Sequence, residues 1–479
     1  VVRDYFDVFD EVYCPKEHTF EFLQNVLTEV MELFPSHYIH IGGDECPKKA
    51  WKKCAHCQHL MKWEGLPNEE ALQSWFIHRI EQFVNSKGRD IIGWDEILEG
   101  GLAPNATVMS WRGEKGGIEA AHQRHKVIMT PGKKCYLDYY QESPEFAPLA
   151  IGGFLPLDTV YNYNPLPAEL TPEEQAYIIG VQANIWGEYI QTPEYFEYMA
   201  FPRLLAMSEV QWTQPEHKDF ESFARRLDKE FERLDYCGVN ACRNFYEVNQ
   251  AGAWNKSQQT YEVTLNTFCP DADIYYAVND STVNTSSSLY KTPIPLDEDA
   301  TVYSAVYRDG KPLGKVTRKS FAVNKATGCD YTCNPAAGWE HLNEGFGLTD
   351  GRRGYARDMR RWISFYQDTV QIVVELKKPQ KVKEVAFSSL WRPVNEIWPA
   401  RAMSVSVSMD GQTFIPVGTK RLTYDFSLTE GTRFPASLSF AETEATFVRL
   451  ELLSGGLCPK GYFHEGLQSE LAIDEIEIY

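Results

Sequence analysis

Tyr38-Ile39-His40-Ile41-Gly42-Gly43-Asp44-Glu45 runs an apolar, β-forming segment into two glycines and then into two adjacent carboxylates. Folding alone gives no reason to pair acids at a strand end, where like charges repel and lose solvation once partly buried. Chemistry gives one. A carboxyl held protonated donates to a leaving group while its ionised neighbour orients or stabilises positive charge. Taken alone, the stretch reads equally well as a solvated strand-to-loop turn, with glycines for backbone freedom and acids for solubility. The sequence around it decides between the two.

Helical periodicity over residues 20–34 places Phe22, Leu23, Val26, Leu27, Val30, Met31 and Phe34 on one broad face, and a strand follows at 38–41. A second helix is predicted over 69–87 with Leu72, Trp75, Phe76, Ile80 and Phe83 inward; Gly88 caps it and a strand follows at 90–94. Further strands are predicted at 107–111, 126–129 and 178–183, with a helix near 117–124 and helical stretches at 193–210 and 217–236. Repeated strand–helix units with short links imply parallel strands joined by right-handed crossovers. Each of the five strands ends in polar or aromatic residues: Asp44-Glu45, Trp94-Asp95-Glu96, Trp111-Arg112, Tyr136 to Asp138 beyond the fourth, and Trp186 with Glu188. Chemistry gathered at the carboxyl ends of many strands is the habit of a TIM barrel, whereas a doubly wound sheet gathers it at one switch point. Five strands do not close a barrel of eight, so either the sheet is open or its first strands lie outside this chain.

The 479 residues, 43% hydrophobic and 13% aromatic, suffice for two or three domains with real cores. A formal charge of −20 leaves no excess of Lys and Arg to neutralise phosphates, so no nucleic-acid partner is expected. No stretch reaches the length of a membrane span. The start at Val1, without Met or a signal peptide, reads as processed or truncated. Eleven cysteines are an odd, scattered set. Cys54-Ala55-His56-Cys57, with Cys46 and Cys14 upstream, has one C-x-x-C without a second. Free thiols or one local disulfide are therefore expected in preference to a structural zinc, and no metal or cofactor is expected. From about Cys242 the texture changes to short β runs. Those at 260–265, 274–278, 301–307 and 320–323 suggest a small β-sandwich, and those at 370–376, 382–387, 403–408, 446–452 and 473–478 a second one. The predicted fold is an α/β barrel region over 1–240, followed by β-sandwich domains over 241–324 and 325–479.

Glu45 is the candidate acid, since partial burial beside a second carboxylate raises its pKa; Asp44 remains ionised and holds something polar or cationic. Trp94, Trp111 and Trp186 each read singly as packing, but three at one topological level suggest an aromatic pocket for a small, partly apolar group. Tyr136 and Asp138 flank Leu137 and face the same way in an extended segment, as do Trp186 and Glu188 across Gly187. Together these pairs offer a phenol and two carboxylates, a set suited to sugar hydroxyls.

His40-Ile41-Gly42-Gly43-Asp44-Glu45 resembles the signature of family 20 glycoside hydrolases, the β-N-acetylhexosaminidases. Gly93-Trp94-Asp95-Glu96-Ile97, Met109-Ser110-Trp111-Arg112-Gly113, Tyr136-Leu137-Asp138 and Trp186-Gly187-Glu188 resemble further family segments in the family's order. The resemblance covers about residues 1–236 and implies a (β/α)8 TIM barrel whose N-terminal strands are missing from this chain. It implies Glu45 as general acid/base and Asp44 as the group orienting the substrate's 2-acetamido arm. Trp94, Trp111 and Trp186 would wall the acetamido pocket, Tyr136 would donate to the acetamido oxygen, and Asp138 and Glu188 would hold the sugar, with His40 in the substrate-binding set. The implied reaction releases terminal β-linked GlcNAc or GalNAc with retention, through an oxazolinium formed by the acetamido group. Rival readings are a lacto-N-biosidase-type disaccharide release and a non-hydrolytic glycan-binding protein. The family's first-strand arginine and its third-strand histidine have no match here, since Arg3 and His18 sit in other contexts.

Residues 259–323 resemble the Fn3-like domain appended to bacterial hexosaminidases. Residues 325–479 resemble discoidin-like (F5/8 type C) modules through Leu348-Thr349-Asp350-Gly351, Ser406-Val407-Ser408-Met409-Asp410-Gly411 and Ala472-Ile473-Asp474-Glu475-Ile476. Such modules often bind glycans through loop aromatics, for which Trp391, Trp398, Tyr462 and Phe463 are candidates. The layout implies an exported protein, periplasmic or at the cell surface of a glycan-degrading bacterium.

Overall fold

A computed structural model describes residues 8–336, 347–428, 431–462 and 464–479; Arg3 and Phe463 lie outside these. The chain divides into two compact units, one of Val1–Gln141, Gly153–Phe223 and Leu234–Ala241, the other of Glu142–Gly152, Ala224–Arg233 and Cys242–Tyr479. Among the described residues no helix is long and apolar enough to cross a membrane.

The first unit is built on five strands: β1 (Tyr38–His40), β2 (Asp90–Trp94), β3 (Thr107–Ser110), β4 (Val127–Met129) and β5 (Ile178–Val181). They hydrogen-bond in that spatial order and all in parallel, which makes an open, incomplete TIM-barrel-like sheet. Alternation along the strands sorts the side chains onto two faces. Ile39, Ile91, Val108, Val127 and Met129 are buried on one, and the helix Lys115–His122 presses so close there that a Cβ on Gly117 would lie 2.5 Å from Met129 Sδ. Each such full burial contributes roughly 1.5–3 kcal/mol. The other face carries Ile92, Trp94 and Met109, packed with Tyr38, Trp111 and Ile128.

Several expectations need correction. The helix Glu17–Leu33 buries Phe20 and Met31, but Phe22, Val26 and Phe34 of its predicted inner face are exposed. Trp75 and Phe76 of the helix Glu69–Ser86 pack on Phe20, while Leu72, Ile77, Ile80 and Val84 of that helix are buried. The predicted helix at 193–210 is two, Pro193–Ala200 and Arg203–Trp212, because Pro202 has no N–H to continue the first. The helices Lys49–Lys53 and Ala55–Glu64 were not foreseen.

The second unit is antiparallel. Asn249–Asn255, Thr260–Asn266 and Ile294–Leu296 form one sheet, and Asp273–Val278, Ala300–Arg308 and Thr317–Phe321 are the longer strands of another. The strand expected at 320–323 thus lies earlier. A third sheet of eight strands encloses an extensive apolar core. There the predicted strands at 370–376 and 382–387 are one long strand, Thr369–Trp391, whose pairing slips between Glu375 and Gln380, around Pro379. The strand expected at 473–478 is two short ones, Leu471–Ile473 and Glu477–Ile478. Trp391 and Trp398 are not displayed on loops: both are buried with Phe434 and Cys458, and Tyr462 lies edge-on to Trp398.

Candidate active site

The β1–β2 ladder continues past β1, where Ile41 N–H donates to Ile92 O and Trp94 N–H donates to Gly42 O, each at 2.9 Å. Gly42 and Gly43 then take φ of +76° and +95°, a conformation side chains rarely adopt. Space is equally short. A Cβ on Gly43 would lie 2.6 Å from Ile97 Cγ2, and one on Gly93 2.8 Å from the same side chain. Ile97 fills the volume that the two glycines vacate, so the Gly-Gly-Asp-Glu and Gly-Trp-Asp-Glu-Ile segments interlock. Gln73 Nε2 donates to Gly43 O at 2.8 Å, while Lys48 braces Gln73 and donates to Cys46 O at 2.8 Å.

This turn carries Asp44 and Glu45 off the carboxyl end of β1 into solvent-accessible positions. Glu45 takes φ +43°, an uncommon left-handed conformation for a non-glycine residue and one that clusters at functional sites. Partial burial, reinforced by the charge of Asp44, pushes the Glu45 carboxyl up. Its protonated form therefore persists to higher pH, which suits a proton donor. His40 Nδ1 accepts the Gly42 N–H at 3.1 Å, which leaves the proton of the neutral ring on Nε2. Crowding around the imidazole lowers its pKa, with Asp44 opposing.

From His40 a continuous run of rings crosses the sheet's carboxyl edge. Centroid separations are 4.7 Å from His40 to Trp94, 6.0 Å to Trp186, 6.4 Å on to Tyr136 and 6.3 Å to Trp111, the last pair nearly parallel at 18°. Trp111 is oriented by its Nε1, which donates to Glu96 Oε2 at 2.9 Å. Asp95 and Glu96, both buried, face the Arg112 guanidinium at 3.4 and 3.7 Å. Burial pushes both carboxyls up and Arg112 draws them back. Trp186 is 42% exposed, and with Gly187, Ile190, Thr192 and Phe196 it lines an apolar groove of about 250 Å³.

Tyr136 and Leu137 lie beside Asn184: Leu137 N–H donates to Asn184 O at 2.7 Å, and Asn184 Nδ2 donates to Thr130 Oγ1 at 2.8 Å. Burial raises the Tyr136 phenol, so it stays a donor throughout the physiological range. Asp138 is 3% exposed, and its Oδ1 has no hydrogen-bond partner among the described residues. Burial first, then the charge of Glu188, pushes Asp138 up to about 6, against the pull of Arg203. Arg203 was missed in the sequence. It is fully buried and donates to Tyr139 O and Leu155 O at 2.9 Å, Leu137 O at 2.5 Å and Met199 O at 2.6 Å, fixing the backbone on both sides of Asp138. Its place as the first residue of the helix Arg203–Trp212 gave no sign of this role. Gln73 and Asn184 gave none. Glu188, like Trp186, is on the exposed side of the last segment.

Residues 2–215 match the model of the glycosyl hydrolase family 20 catalytic domain, and residues 249–317 that of the chitobiase/beta-hexosaminidase C-terminal domain. A beta-hexosaminidase of Porphyromonas gingivalis is 54% identical over 235 residues, which is 49% of this chain and 30% of that protein. One from Vibrio furnissii is 37% identical over 195 residues, 40% of this chain and 32% of that protein. The crystal structure of a Vibrio harveyi GH20 exo beta-N-acetylglucosaminidase superposes with a TM-score of 0.44 and 34% identity, covering 47% of this chain and 36% of that one. The match thus spans about a third of the length of these relatives. The first part of the chain is thus similar to the glycosyl hydrolase family 20 catalytic domain of beta-hexosaminidases, and a later, distinct stretch to their C-terminal domain.

Proposed function

We propose that the protein bearing this chain is an exo-acting β-N-acetylhexosaminidase that removes terminal β-linked GlcNAc or GalNAc by substrate-assisted catalysis. The observation that carries this reading is the pairing of Asp44-Glu45, on their glycine turn, with the ring run from His40 to Trp111. Two acids adjacent in sequence do not readily flank a glycosidic bond from opposite faces, as a conventional pair does. They serve instead if the 2-acetamido oxygen attacks the anomeric carbon. Glu45 then gives its proton to the leaving oxygen, and Asp44 stabilises the charge developing on the acetamido nitrogen. Water attacks the resulting oxazolinium, returning a proton to Glu45. Trp94, Trp111 and Trp186 enclose the acetamido methyl, Tyr136 donates to its oxygen, and Asp138 and Glu188 accept from ring hydroxyls. The buried, unpartnered Oδ1 of Asp138 supports that last role.

The test is turnover of an aryl β-GlcNAc substrate and binding of a thiazoline that copies the cyclised intermediate. Glu45→Gln is expected to cost about 10²–10⁴-fold on poor leaving groups. Asp44→Asn is expected to abolish the thiazoline's advantage over GlcNAc, because an amide does not stabilise the cationic ring. A covalent ester trapped by a fluorosugar, or release of a disaccharide alone, would overturn the assignment. Residues 325–479 are proposed to be a discoidin-like module that engages glycan, and 259–323 an Fn3-like domain. The antiparallel sheets support this, as does Phe426, 41% exposed beside Trp391 at 5.1 Å. Export to the periplasm or cell surface of a glycan-degrading bacterium completes the proposal.

A further inference from the structure

The connection that leaves Glu45 holds a second cluster with chemistry of its own. Cys14, Cys54 and Cys57 come together with their Sγ atoms all within 4.8 Å of one another. Cys46, grouped with them in the sequence, packs against the same apolar cluster but is not part of the three. The convergence is built by several elements. Cys54 is the N-cap of the helix Ala55–Glu64, and Cys57, fully buried, is in its first turn. Cys14 arrives on a separate segment, docked by Trp51 Nε1 donating to Tyr13 O at 3.0 Å and by the His56 ring 3.2 Å from Pro15 O. Trp51, Met61 and Leu72 back the cluster with apolar surface.

Spacing separates the possible readings. A disulfide needs sulfurs about 2.05 Å apart. Tetrahedral zinc, with bonds of about 2.3 Å, holds its sulfurs about 3.8 Å apart. Cys14 Sγ and Cys57 Sγ are 3.8 Å apart, and none of Cys14, Cys54 and Cys57 is in a disulfide.

We propose that Cys14, Cys54 and Cys57 bind one thiophilic divalent cation, zinc by its preference for sulfur, with the fourth corner left to solvent because His56 is engaged with the Pro15 carbonyl. Each thiol releases its proton to solvent as its S–metal bond forms, so no oxidant or reductant takes part. The metal braces the connection between the Asp44-Glu45 turn and the helix Glu69–Ser86, which reaches that turn through Lys48 and Gln73.

The test is Co²⁺ titration of the reduced chain, followed by sulfur-to-cobalt charge-transfer absorbance, with zinc then measured by mass spectrometry of the metal-replete protein. One cobalt per chain, displaced by one zinc, is expected. Cys14→Ser, Cys54→Ser and Cys57→Ser should each weaken binding by at least about 100-fold, more than the loss of an outer-shell partner costs, whereas Cys46→Ser should not. Cys57→Ser can fail to fold because Cys57 is buried, so the absorbance of the unaltered chain and of Cys54→Ser decides. A reduced chain that takes up no more cobalt than the triple serine variant overturns the proposal. So does a chain isolated with two of these three cysteines already joined in a disulfide.

Discussion

Two single residues show how closely backbone and chemistry are tied in this site. Gly43 meets two demands at once, a φ of +95° and a 2.6 Å approach of Ile97 to where a Cβ would stand. Gly43→Ala is therefore expected to destabilise by roughly 2–4 kcal/mol, the sum of backbone strain and overpacking. Ile97→Ala loses core packing of its own, but in that background Gly43→Ala should lower the denaturation midpoint by less, since the crowding is gone and only the strain remains. Asp138 makes the opposite kind of demand. Its pKa is about 6 in the fold against an ordinary 3.8, so between those values the native state binds the proton that the unfolded chain has lost. Stability from this group is therefore greatest below pH 3.8 and falls as pH rises toward 6. Asp138→Asn should stabilise the protein at pH 7.5 by up to roughly 3 kcal/mol, and by much less near pH 4, while weakening any ligand that Asp138 accepts from. A gain that did not change with pH would show that the buried charge is not what the wild type tolerates.

At the scale of elements, the loop after β4 is held by a residue from a later helix. Arg203 donates to carbonyls on both sides of Asp138, and Arg203→Met would leave four buried acceptors without this partner. A loss of at least about 3 kcal/mol is expected. Because the guanidinium also draws the Asp138 pKa down, the carboxyl should titrate at still higher pH in the variant. Carbon-detected NMR of the Asp138 side chain would show it. What was legible beforehand follows the same logic. The sequence pattern matches the strand Asp90–Trp94 to the residue, and β1 and β3 to within one, because each writes an apolar, β-forming run between turn signals. The helices Lys49–Lys53 and Ala55–Glu64 interleave lysine, cysteine and histidine, and the apolar stripe of the second is confined to Cys57, Leu60 and Met61, too short for periodicity to mark. Arg203 was invisible for a related reason. Its partners are backbone carbonyls, and no sequence pattern marks them. The acids and aromatics proposed for the site could be picked out in the sequence because each follows a strand that was itself legible.

For the whole molecule, two sequence segments more than a hundred residues apart explain each other. Leu348-Thr349-Asp350-Gly351 and Asp474-Glu475 meet in the second unit, where Glu475 accepts the Gly351 and Asp350 N–H groups at 2.8 and 3.1 Å. Next to it the buried Asp474 takes the Arg433 Nε at 2.8 Å, the Ser388 N–H at 2.8 Å and the Gly354 N–H at 3.0 Å. These acids tie the chain's last strands to a loop that would otherwise leave several buried donors unsatisfied. Asp474→Ala strands a partly buried guanidinium and two buried amides, for which about 3–5 kcal/mol is expected. Two units with separate cores should unfold as two calorimetric transitions, and the variant should lower one of them by roughly 6–20 °C while leaving the other in place. The transition that stays should be the one that Gly43→Ala and Arg203→Met lower. If Asp474→Ala instead moved both transitions together, the chain would be one cooperative body, and the stability of the five-stranded sheet would depend on the antiparallel half of the protein.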